Sequence, residues 1–154
     1  MKPNTLIGSE FSPFVRRIKL FCEHNHIAYF WHPITNLLER EIPEVSENNP
    51  AKQIPLWITE KDGPIWDSRV IAMYLSEKNK IPWLNWKEEK LLAAIDNLND
   101  TAITIFVSEK AQINTQDPKH FIFSRYRDRI QNLLKFLEEQ VSERTLQNWN
   151  FVSI

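Results

Sequence analysis

"SEFSPFVRRIKLF", Ser9 to Phe21, sets a serine and a proline directly ahead of a basic, apolar-striped run. Proline is favoured in the first turn of a helix, and a serine just before it is a good N-cap. Val15, Ile18, Phe21 and Cys22 then recur at i, i+3, i+6 and i+7, which puts them on one helical face. The Ser12 hydroxyl therefore stands at the positive end of a helix dipole. It serves there as a plain cap, or it acts on something negative.

Upstream, "TLIGS" (Thr5 to Ser9) reads as a short buried strand. Downstream, "AYFWH" (Ala28 to His32) is aromatic-rich and strand-like. Leu37 to Val45 reads as a short helix or an irregular segment. In "IPLWITEKDGPIW" two apolar runs flank Asp62-Gly63, a strong hairpin signal. Ser68 opens the next helix, with Val70, Ile71, Tyr74 and Leu75 expected on one face. A helix joining the first two strands implies a parallel pair, and the hairpin adds antiparallel strands. The expected fold is an α/β domain, a mixed sheet with helices on both faces, over residues 1–80.

The pattern changes after Lys80. "IPWLNW", residues 81–86, reads as a linker, and residues 87–154 as an all-α part. Leu91, Leu92, Ile95, Leu98, Ala102 and Phe106 mark a helix from Lys87 to Lys110. A second is expected from about Pro118 to Arg144, with Ile130, Leu133, Leu134, Leu137 and Val141 as its stripe.

Composition removes several classes. The net charge of -1 over 154 residues supplies no dense basic field for nucleic acid or an anionic membrane surface. No apolar run reaches the roughly 18 residues of a membrane span, and the first ten residues are a poor signal-peptide core. Only Gly8 and Gly63 are glycine, so no phosphate-cradling glycine loop can be built. A single cysteine excludes an intrachain disulfide and points to a cytoplasmic setting. Cys22 lies on the apolar face of its helix and reads as a core thiol. The histidines show no zinc-like spacing, so no metal is expected.

Three features, Ser12-Pro13-Phe14-Val15, Ile54-Pro55 and Asp67-Ser68, fall in an order and spacing that resembles the N-terminal, thioredoxin-like domain of the cytosolic glutathione transferases. The resemblance covers about residues 4 to 80; the helical part is similar to that family's second domain in pattern only. It implies that Ser12 is the catalytic hydroxyl, with Phe14 beside it in the glutathione site. A free thiol has a pKa near 8.5, so only roughly 3% is thiolate at pH 7. A donated hydrogen bond at a helix N-terminus favours the anion. Serine in place of cysteine, with Val15 three residues on, leaves no Cys-x-x-Cys pair for dithiol chemistry.

The resemblance further implies that Pro55 is a structural cis-proline and that Ile54 pairs through its main chain with the cysteinyl part of glutathione. "NPAKQIP" departs from the common Asn-Pro-x-Gly-Lys-Val-Pro pattern, with Lys52 at the glycine and Gln53 at the lysine. Gln53 can still bond the glycyl carboxylate, although Lys52 is an alternative. Asp67 would pair with the γ-glutamyl amino group and Ser68 with its carboxylate. The expected activity is conjugation of glutathione, as co-substrate, to a small apolar electrophile. Alternatives are a non-catalytic binding or regulatory protein of the same fold, and a glutathione-dependent isomerase or dehalogenase. The helical part is short for the family, so it is expected to be truncated or to cover an exposed apolar face with a second copy, as a homodimer.

Overall fold

The computed structural model describes residues 4–35, 39, 41–140 and 149–154. They form β1 (Thr5–Gly8), α1 (Pro13–His24), β2 (Phe30–Pro33), α2 (Pro43–Ser46), β3 (Leu56–Ile58), β4 (Pro64–Trp66), α3 (Ser68–Asn79), α4 (Trp86–Lys110) and α5 (Phe121–Gln140). The chain divides into two compact units, Met1–Trp83 and Leu84–Ser153.

In the first unit the strands lie in the order β2-β1-β3-β4. β1 runs parallel to β2 and antiparallel to β3, and β3 and β4 form the hairpin. This is the mixed sheet that the element order implies. All of β1 is buried, as expected of a central strand covered on both faces. Proline falls only on the outer strands, Pro33 in β2 and Pro64 in β4, where a missing N–H breaks no interior ladder.

The side-chain alternation of the strands sorts the core into two layers. Ile7 and Leu56 pack with Ile34 and Val45, joined by Ile42, Ile54 and Ile58, so α2 covers this face. Leu6 and Trp57, opposite each other in the ladder and both fully buried, point to the other face. There α1 and α3 pack together, and α3 lies against β3 and β4. α1 buries Val15, Ile18, Phe21 and Cys22, the face that their spacing predicts.

α3 buries Ile71 and Leu75 of its predicted face and leaves Val70 out. Ser68, Ala72 and Ser76 are buried as well, while Val70 is 48% exposed. Serine and alanine, rather than the bulkier Val70, occupy the buried side, because small residues allow close packing of helix on helix. Close approach also explains Gly8. A Cβ built there would stand 2.4 Å from Val15 Cγ2, so β1 and α1 meet where no side chain fits.

The hairpin closes through Thr59. Its main-chain N–H and its hydroxyl both donate to the Gly63 carbonyl, at 3.0 and 3.1 Å, and its oxygen accepts from the Asp62 N–H at 2.8 Å. Gly63 takes φ 74, the left-handed conformation that glycine adopts freely. Tyr74 donates to Asp62 at 2.9 Å and Lys78 pairs with it at 3.1 Å, tying the turn to α3. These contacts, the Tyr74 hydrogen bond first, hold the Asp62 carboxyl below its usual range.

In the second unit α4 begins at a capping box. Asn85 Oδ1 accepts from the N–H groups of Lys87 and Glu88, and Glu88 accepts from the Asn85 N–H. α4 and α5 pack together. Arg129 reaches Thr101 at 3.5 Å, while Lys90 lies over the Phe136 ring at 5.1 Å, so the two helices run antiparallel. α5 starts at Phe121 rather than Pro118, because Asp117 to His120 closes a turn ahead of it. The expected continuation to Arg144 and the stripe residue Val141 lie outside the described residues, as do Leu37 and Leu38 of the expected short helix.

The predicted α4 stripe is also corrected. Leu92, Ala94 and Thr101 are its buried residues, and Phe106 is 55% exposed. Thr101 can be buried because its hydroxyl donates to the Asn97 carbonyl, at 2.6 Å, within its own helix. No helix of the described residues is long and apolar enough to cross a membrane.

Candidate functional site

Strand pairing brings the three motifs to one end of the sheet. Ile7 pairs with Leu56, and Leu56 with Trp66. One residue beyond these pairs stand Gly8, the last residue of β1, Pro55, just before β3, and Asp67, just after β4. The turn carrying Ser12, the Ile54-Pro55 pair and the start of α3 thus leave the same end of the sheet.

Ser12 is held at the start of α1 by its own main chain. Its N–H donates to the Ser9 carbonyl at 3.0 Å, and its carbonyl accepts from the Arg16 N–H at 3.0 Å. The Ser12 oxygen accepts from the Val15 N–H at 3.3 Å. Cap and reactive roles are compatible here, because the cap bond uses an oxygen lone pair and leaves the hydroxyl hydrogen for another acceptor. Phe14 follows in the first turn, half-buried, with the Arg17 guanidinium carbon 5.7 Å from its ring centre.

The segment before β3 is tightly organised. The Ile54-Pro55 peptide bond is cis. Lys52 takes φ 54. That conformation costs an ordinary L-residue roughly 1–2 kcal/mol, and it is the position at which the family pattern carries glycine. The Lys52 ammonium is engaged by Glu41 at 2.6 Å. Hydrogen bonds from Lys52 and then Ser46 hold the Glu41 carboxyl below its usual range. Gln53 is exposed and its side chain faces solvent.

Asp67, not Ser68, is the N-cap of α3. Its Oδ1 accepts from Arg69 N–H at 2.8 Å and from Val70 N–H at 3.3 Å. Asp67 has φ 70 and ψ 127, a region sparsely populated by residues other than glycine, and such strain gathers at functional sites. Ser68 is the first helical residue and is buried.

Sequence reasoning missed Asn49. It is 1% exposed, and its side chain donates to the Gln53 carbonyl at 2.8 Å and accepts from the Ala51 N–H at 2.9 Å. The Asn-Pro dipeptide, a turn signal, was the available clue. Cys22 lies apart from this chemistry. Burial, with a smaller contribution from Glu23, pushes its thiol up to about 12, so it stays protonated and inert. Among the described residues no group of three or more His, Cys, Asp or Glu is placed to hold a metal ion.

The mixed sheet with its flanking helices is thioredoxin-like, and comparison with known proteins agrees on the fold. The sequence model of the glutathione S-transferase N-terminal domain matches residues 6–83, so the chain belongs to the glutathione S-transferase family. It is 28% identical over 150 residues to the uncharacterized GST-like protein YibF of Escherichia coli K12, across 92% of this chain and 72% of that protein. Among solved structures, a glutathione transferase family member from Pseudomonas fluorescens Pf-5, with bound glutathione, superposes with a TM-score of 0.80. It is 21% identical, over 97% of this chain and 77% of that one. A Methylobacillus flagellatus KT glutathione S-transferase with glutathione bound gives 0.75 at 20% identity, over 88% and 68%.

Proposed function

We propose that this chain is a glutathione transferase that binds glutathione at the β1, β3 and β4 end of the sheet and joins its sulfur to a small apolar electrophile. The observation that carries the reading is the Ile7–Leu56–Trp66 register, which leaves Gly8, Pro55 and Asp67 at one end of the sheet. Two strand spacings of about 4.8 Å separate the outer members. The row then takes the γ-glutamyl end beside β4, the cysteinyl main chain ahead of β3 and the sulfur towards the end of β1.

Each residue then has a task. Asp67 keeps Oδ2 for the γ-glutamyl ammonium while Oδ1 caps α3. Ser68, at the helix N-terminus, receives the γ-glutamyl carboxylate. Ile54 pairs through its main chain with the cysteinyl unit, and Pro55 follows it. Gln53 takes the glycyl carboxylate, because Glu41 already engages Lys52. Ser12 donates to the sulfur, with the first turn of α1 at Phe14 adding the positive end of the dipole. The thiol loses its proton to solvent. The thiolate attacks the electrophilic carbon, a carbon–sulfur bond forms, and the leaving group departs with the electron pair of the broken bond.

The protein acts as a cytoplasmic homodimer. The deciding experiment measures glutathione binding by calorimetry and turnover of a model electrophile. Binding with turnover supports the transferase. Binding without turnover on a broad electrophile panel makes the chain a glutathione-binding module, and absence of binding overturns the reading.

A further inference from the structure

We infer that Asn49 is a positioning residue for the ligand, acting through the main chain that carries Gln53 and Ile54; this rests on the glutathione-binding reading above. All four of its polar groups are committed. Its N–H donates to the Val45 carbonyl at 2.8 Å, and its carbonyl accepts from the Lys52 N–H at 2.9 Å. Its side-chain amide donates to the Gln53 carbonyl at 2.8 Å, and its side-chain oxygen accepts from the Ala51 N–H at 2.9 Å. The chemistry fixes which end of the amide faces which partner, since a carbonyl can only accept and an N–H can only donate.

The result is a clasp. The Asn49–Lys52 bond closes a turn with Pro50 at its second position, a place that proline suits. The Asn49–Ala51 bond is an Asx turn within it. The bond to Gln53 spans the turn and holds Lys52 in its left-handed conformation. Gln53 itself is exposed and gains no placement from packing. Its side chain goes where its backbone is held, and Asn49 holds that backbone from beneath. Neither aspartate, which cannot donate, nor alanine, which can do neither, replaces both bonds.

The test uses the full chain, with glutathione as ligand. Asn49→Asp keeps the acceptor for Ala51 and loses the donor to Gln53. We expect it to melt cooperatively, to raise the glutathione Kd about tenfold, and to leave kcat at saturating glutathione within about twofold. In a Gln53→Ala background the same substitution should raise Kd by less than about threefold, because the Gln53 contact that Asn49 supports is already lost and only the part carried by Ile54 remains. A merely structural role would lower stability without this split or this coupling. Should Asn49→Asp fail to fold, Asn49→Ser keeps a short acceptor and carries the same expectations. If the wild type binds glutathione and the folded variant binds it within twofold, the role of Asn49 is overturned alone. If the wild type does not bind, the functional reading falls and this one with it.

Discussion

Replacing Ser12 by alanine separates the cap from the chemistry, because the hydroxyl oxygen and the hydroxyl hydrogen serve different partners. Loss of the oxygen removes the bond from the Val15 N–H, which at 3.3 Å is long. Capping losses run from about 0.5 to 2 kcal/mol, and a long bond belongs near the lower end. In a chain of this size about 1 kcal/mol lowers Tm by roughly 2–4 °C. Loss of the hydrogen removes a charge-assisted bond to the bound thiolate, worth about 1.5–3 kcal/mol. At 1.36 kcal/mol per unit, the pKa of bound glutathione should rise by about 1–2 units. Turnover at pH 7 then falls roughly ten- to a hundredfold, while the glutathione Kd moves little. The deficit should shrink as pH rises, because alkali ionises the thiol without help. The assay is the thiolate ultraviolet absorbance of the complex titrated against pH, beside kcat and a thermal melt. Ser12→Thr, which retains a hydroxyl, should recover part of both effects. If Ser12→Ala lowers Tm but leaves the thiolate pKa and kcat unchanged, Ser12 is only a cap, and the assignment of the sulfur to this end of α1 is wrong.

Asp67→Gly should separate strain from ligand contact. Glycine accepts the φ of 70 without penalty but cannot cap Arg69 and Val70, so stability should change by less than about 1 kcal/mol. Glutathione binding should weaken at least tenfold by calorimetry, and unchanged binding would remove Asp67 from the site. Gly8→Ala places a methyl 2.4 Å from Val15 Cγ2 and should cost about 1–3 kcal/mol in chemical denaturation. Adding Val15→Ala should recover part of that loss, and a neutral Gly8→Ala would deny the close approach. Cys22, with its thiol raised to about 12, should resist thiol reagents at pH 8 until the chain is unfolded. Above pH 9 the unfolded thiol ionises while the folded one does not, so stability is full below pH 9 and declines as pH rises towards 12. Rapid labelling of the native protein would contradict the burial of Cys22.

The first unit was legible in the sequence where one residue type decides one local outcome. Pro13 after Ser12 marked the start of α1, and its apolar spacing marked the buried side, because the other side carries Arg16, Glu23 and the half-buried Lys19. Asp62-Gly63 marked the hairpin, because few other residues take φ 74. Periodicity placed Ile71, Leu75 and Leu92 on α3 and α4 but misplaced Val70 and Phe106, for a shared reason. It ranks positions by hydrophobicity, whereas helix packing also rewards small volume and polar groups satisfied within the helix. Hence Ser68 and Ala72 are inside and Val70 is outside, and Thr101 is buried while Phe106 is not.

The site shows the same limit at a longer range. Ser12, Pro55 and Asp67 look unrelated along the chain, and only antiparallel pairing on both sides of β3 brings their strand ends together. The residues that hold them are harder still to read. Lys52 and Asp67 take positive φ although neither is glycine, and local preference argues against both conformations. Each is stabilised by a group that a linear reading ranks low. The buried Asn49 closes the turn around Lys52, and the Asp67 carboxylate bonds back to its own helix. At both positions local preference and global structure disagree, and both lie towards one end of the sheet. His26, Lys80 and Gln112 take positive φ as well, but they close the C-terminal ends of α1, α3 and α4, where a left-handed residue is ordinary. Lys52 and Asp67 stand instead ahead of β3 and α3, beside the three motifs.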